Sequence, residues 1–172
     1  TFHTKNIHQF AADVAKETGG KLKINVHSAG SLFKHKEIKT ALRGGQVPIG
    51  EIYMGLLANE HPIFAIDSMP FLATDYEQAA NLWKVTKQGM EEQLDKQGIM
   101  LLYTVPWPPQ GLYATKVINK ASDMKGMKFR SVNANTTRLA ELAGAVPTQI
   151  EVADLAQAFA TGRIESMITS PS

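Results

Sequence analysis

Two hydrophobic periods alternate along this chain, and no other feature limits its possible folds as strongly. Ile7, Phe10, Ala11, Val14 and Ala15 recur at helical spacing, and Gly19-Gly20 ends that run. Leu22, Ile24 and Val26 then alternate as a short strand. Ile38, Ala41 and Leu42 mark a second helix that stops at Gly44-Gly45, and 49–53 reads as another short strand. Asp75 caps a long helix with Ala79, Leu82, Trp83 and Met90 facing inward. Residues 99–105 are almost continuously apolar up to Pro106, the pattern predicted for a strand buried on both faces. Strands are predicted at 113–117, 127–130 and 164–168, with a helical turn at Ser122-Asp123. Helices are predicted from a cap at Asn135 to Gly144 and over 152–161. Such alternation implies α/β construction with largely parallel pairing.

A faint internal echo accompanies the pattern. KLKINVHS is similar to MKFRSVNA, and ALRGGQVPIGEI to AFATGRIESMIT, in the same order. Two lobes of similar build would follow, divided near the proline-rich PWPPQG segment. Residues 1–106 would form a first α/β lobe without its first strand, and 107–172 part of a second. The two-lobed fold is expected to be incomplete, because Thr1 leads straight into a helix and the chain stops soon after its last strand. Ligands of open α/β sheets lie beyond the carboxyl ends of strands, and clefts between domains are favoured sites.

Composition removes several functions. The 18 basic and 16 acidic residues give a net charge of +2, and Lys21, Lys23, Lys34, Lys36 and Lys39 are scattered. A nucleic-acid partner requires a clustered basic face, so none is expected. No apolar run reaches the ~18–20 residues of a membrane span. The chain has no signal-peptide pattern, which suits a cytosolic protein or an exported one already processed. The absence of cysteine rules out disulfides and thiolate chemistry. There is no GxSxG, GxxxxGK[ST] or GxGxxG motif. His3, His8, His27, His35 and His61 lie on separate elements without metal-ligand spacing. Neither a metal nor a cofactor is expected, and nothing supports an enzyme.

DMKGMKFRSVNAN carries the clearest chemical signal. Met127 and Phe129 would face the core and Lys128 and Arg130 the other side. Arg130 then stands near a strand's carboxyl end, just before a helix. Arginine offers a planar fork matched to a carboxylate, and Asn133 could complete the shell. A surface ion pair for Arg130 and a turn for Asn133 are the competing structural reading. Trp107, set among prolines, would form a rigid wall between lobes or a plain apolar plug. Phe64, Met69 and Phe71 could line an apolar pocket or belong to ordinary core.

The stretch 123–169 has an Asp-x-x-Gly turn, a strand ending in arginine, an asparagine loop, Gly-Ala-Val-Pro and a helix ending Thr-Gly. It resembles the substrate-binding proteins of tripartite ATP-independent periplasmic (TRAP) transporters, and residues 18–55 and the Pro-Phe-Leu before the long helix agree. The resemblance implies that Arg130 is the carboxylate clamp and Asn133 its neighbour. It also implies that Thr169 and Ser170 form the ligand loop after the last strand, and that Glu51 and His3 look into the same cleft. Many members have a second arginine where this chain reads PPQGLYATK, with Gln110 or Leu112 instead. Its loss, with Trp107 and Phe71, favours a monocarboxylate with an apolar or aromatic body, such as a 2-hydroxy or 2-oxo acid. The implied function is periplasmic capture of an organic acid for a membrane permease, by a monomer. An effector-sensing domain of a regulator, or an enzyme on a two-lobed frame, are the rival readings.

Overall fold

A sheet of four short strands lies in the second half of the chain, and helical segments make up most of the first. The computed structural model describes residues 2–170. Helix α1 spans Phe2–Glu17, α2 Ile38–Arg43 and α3 Tyr76–Asp95; a 3-10 helix covers Pro62–Ser68. Strands β1 (Gly111–Ala114), β2 (Lys128–Ser131), β3 (Val146–Gln149) and β4 (Ser166–Thr169) alternate with helices α4 (Ala134–Leu142) and α5 (Leu155–Ala160).

Local chemistry explains most of these boundaries. Gly19 and Gly20, at φ 58° and 79°, take the left-handed conformation that ends α1. The Asp75 carboxylate accepts the Gln78 N–H at 2.8 Å, which satisfies a free donor at the start of α3. α4 is capped by Asn133, whose Oδ1 accepts the Thr136 N–H at 2.9 Å. The helix therefore begins earlier than the expected cap at Asn135. Asn135 uses its amide elsewhere, as described below.

The sheet order is β1-β4-β2-β3. β2 runs parallel to both β3 and β4, and β1 is antiparallel to β4. Arg130 pairs with Thr148 on one side and Met167 on the other, and Gly111 pairs with Thr169. One sheet edge thus gathers the carboxyl ends of three strands and the amino end of β1. Met124, Met127, Phe129, Ala140 and Ala145 form a core beneath α4. Ile150, Ala158 and Ile164 form another with Leu155 and Phe159 from α5. In the first half, Leu57, Phe64, Met90 and Leu94 form a core with Trp83, Ile99 and Leu101 packed on it. Each cluster stays on its own side of residues 102–117.

Three expected strands, at 22–26, 49–53 and 99–105, form no ladder. Strand propensity cannot supply a pairing partner, and none reaches them among the described residues. Residues 99–105 are also not buried on both faces. Ile99 and Leu101 pack on the first core, while Met100 and Leu102 are 74% and 54% exposed. The strand expected at 113–117 is shifted to Gly111–Ala114, and that expected at 164–168 to Ser166–Thr169. The helix expected over 152–161 divides into a 3-10 turn, Val152–Asp154, and α5.

Candidate ligand site

Arg130 is an interior cation. Its residue is 5% exposed, on the face of β2 opposite Phe129. Its Nε donates to the Ile150 carbonyl at 2.9 Å, which fixes the plane of the guanidinium. Among the described residues Arg130 forms no ion pair and its two terminal nitrogens have no acceptor. Burial lowers its pKa, and the nearby Glu151 carboxylate partly offsets that. A guanidinium anchored through Nε keeps both Nη groups for one carboxylate, the arrangement that makes bidentate pairing strong and directional.

The other groups approach from the first half of the chain. His35 Nε2 accepts the Tyr53 N–H at 3.0 Å. Burial lowers the His35 pKa, while Glu151 and Glu51 pull it upward. His35 therefore lies within the field of a carboxylate that Arg130 also feels. The phenol of Tyr53 is pushed up to about 12, first by burial and then by the Asp67 carboxylate. It accepts a hydrogen bond from Asn133 Nδ2 at 3.1 Å. A groove of about 380 Å³ runs along this junction, lined by Ser131, Asn133 and Gln149 on one side and Lys36, Leu56 and Asn59 on the other.

His3, Glu51 and Trp107 come together. His3 Nε2 pairs with Glu51, and the His3 ring lies 5.6 Å from that of Trp107 at an interplanar angle of 57°. The Tyr103 ring packs tilted against that of Phe10, centroids 5.2 Å apart, and both burial and Glu51 raise its pKa. Thr169 and Ser170, both half-buried, continue β4 on the same sheet edge as Arg130. Gln110 is exposed and donates back to the Pro108 carbonyl at 3.2 Å. Phe71 is 93% exposed, in a left-handed conformation with φ 65°, and forms no ring contact among the described residues.

Sequence reasoning missed Tyr53, His35, Glu151 and the bonding of Asn135. These residues belong to distant segments and carry no mutual spacing signal. Glu151 follows β3, a strand the sequence reading did not predict, so its position gave no signal either. Among the described residues no group of three His, Cys, Asp or Glu side chains is placed to hold a metal ion. None of their helices is long and apolar enough to cross a membrane.

An open α/β sheet edge with a fixed interior cation has the chemistry to receive an anion. Residues 1–170 match the family described as bacterial extracellular solute-binding protein, family 7 (DctP). The chain belongs to this family of TRAP solute-binding proteins. It is 48% identical to DctP6, a Bordetella pertussis extracytoplasmic solute receptor binding pyroglutamic acid, with a TM-score of 0.95 over 98% of this chain and 56% of that one. A marine metagenome TRAP solute-binding protein specific for pyroglutamate is 46% identical, with a TM-score of 0.94 over 98% of this chain and 56% of that one. A solute-binding protein of Albidiferax ferrireducens is 28% identical over 98% of this chain and 50% of its own length. The chain therefore spans about half the length of the relatives it matches, and those receptors are two-lobed.

Proposed function

We propose that this chain is the arginine-bearing part of an extracytoplasmic receptor that captures a small monocarboxylate for a TRAP transporter. The observation that carries the reading is Arg130, buried, fixed through Nε and with both terminal nitrogens unpaired among the described residues. The lobes would divide near residue 106, consistent with cores that stay on either side of 102–117. An anion reaching Arg130 would bridge them. Closure excludes water, and each charge-assisted hydrogen bond then contributes on the order of 1.5–3 kcal/mol.

Charge favours one carboxylate over two. The fields of Glu151, Glu51 and Asp67 reach into the same region, where Arg130 is the interior cation. A second substrate carboxylate buried beside these acids would have no second interior cation to pair with among the described residues, at a cost of several kcal/mol. Pyroglutamate, bound by two of the similar receptors, carries one carboxylate and a lactam N–H that an acidic side chain can accept. His3, Glu51 and Trp107 would form the wall facing Arg130, with Asn133, Thr169 and Ser170 beside it. Gln110 and the exposed Phe71 would reach the ligand only if closure moves their loops. The loaded receptor would dock a membrane permease and release its cargo without chemical change.

Calorimetry on the full-length protein tests the proposal. L-Pyroglutamate should bind, and malonate or succinate should bind at least ~10-fold more weakly, about 1.4 kcal/mol. Equal or tighter binding of the dicarboxylates would overturn the charge assignment, and binding of no carboxylate would overturn the function.

A further inference from the structure

We propose that Tyr53, Ser68 and Asn135 form a closure latch between the lobes, positioning residues that set how long a ligand is retained. This rests on the two-lobed capture reading above. Three hydrogen bonds cross between residues 53–68 and the first turn of α4. Asn133 Nδ2 donates to the Tyr53 hydroxyl at 3.1 Å. Asn135 Nδ2 donates to Ser68 Oγ at 2.8 Å and to the Ala65 carbonyl at 3.2 Å. Ser68 Oγ in turn donates to Ala65 O at 2.9 Å, so the acceptor is already oriented.

The network has the properties required of a reversible catch. Among the described residues no apolar cluster spans the junction, so opening exposes polar groups that water can satisfy. Both faces of the catch are firmly held. Tyr53 is fixed through its own N–H to His35. Asn133 and Asn135 lie on the turn that Asn133 Oδ1 caps through Thr136 N, a few residues beyond Arg130 on β2. A ligand that seats Arg130 therefore positions α4 for the latch, and the latch holds the cleft shut around the ligand. Apparent affinity scales with the closed population, so a residue that favours closure slows dissociation without touching the ligand.

Stopped-flow or surface-plasmon kinetics on the full-length protein with L-pyroglutamate test this, using Asn135→Ala and Tyr53→Phe. Asn135→Ala, which removes two bonds, should raise koff about 10-fold, and Tyr53→Phe about 3–5-fold. Association rates should stay within about twofold of wild type and ligand-free melting temperatures within a few degrees. A purely structural role would instead lower the melting temperature and the fraction of active protein while leaving koff unchanged. Dissociation within twofold of wild type in both variants would overturn the latch. Small-angle scattering supplies a readout that does not need the ligand. Ligand-free Asn135→Ala should be more open than wild type, and identical scattering profiles would also overturn it. Failure of the wild type to bind any carboxylate would count against the function and leave the scattering comparison to decide the latch.

Discussion

At the residue scale, two titratable groups beside the proposed cleft behave differently. Arg130 stays charged despite its lowered pKa, because an arginine starts far above the neutral range. His35 starts from 6.5, and its Nε2 must remain unprotonated to accept the Tyr53 N–H. Its folded pKa lies below the unfolded value, so the stability it contributes is complete above about pH 6.5. It is lost as the pH falls through the folded value. The melting temperature should therefore drop as the pH falls from about 7 toward 5. His35→Gln, whose Oε1 can take the same N–H without titrating, should flatten that part of the profile. Parallel wild-type and variant profiles would remove His35 from the account. The placement of Arg130 at a strand's carboxyl end before a helix was legible in the sequence, because it is a local pattern, while its burial was not. His35 and Tyr53 were not, because nothing in their spacing shows that two loops fold onto α4.

At the scale of elements, β2, α4, α5 and β4 were legible because each ends in a local signal, whereas β3 was not predicted, because Val-Pro-Thr-Gln has a proline and no apolar alternation. Gly144 at φ 74° and Gly162 at φ 65° stop the helices, and alternation marks the strands. The three missing strands fail for the opposite reason: a ladder is a relation between segments, and an apolar run specifies only one of them. The two asparagines near α4 show the limit of cap reading. Either could have capped the helix, and the turn after β2 gives Asn133 that role and frees Asn135 to cross the junction. Asn133→Ala should lower stability by about 1 kcal/mol through loss of the cap. Asn133→Ser, which keeps an acceptor for Thr136 N, should recover most of that in urea unfolding. If both variants unfold at the same midpoint, the cap is not the source of the loss.

At the scale of the whole molecule, two sets of cores meet across a polar junction, and the interior cation lies on the sheet beside it. The one-sided burial of 99–105 and the exposure of Leu22 (51%) and Ile49 (43%) leave apolar surface open in the first half. The second half has a four-stranded sheet with α4 packed on β2 and β3 and a separate apolar cluster around α5. Arg130, on β2 between β4 and β3, is placed by that sheet rather than by a loop. A site on rigid strands keeps its geometry while the lobes move around it, which suits capture better than turnover. Titration calorimetry of Arg130→Lys with L-pyroglutamate, beside the wild type, tests this most directly. Lysine keeps the charge but loses the fork and the Nε anchor to Ile150, so affinity should fall about 100-fold or more while the variant stays folded. A folded Arg130→Lys that binds within threefold of wild type would contradict the account.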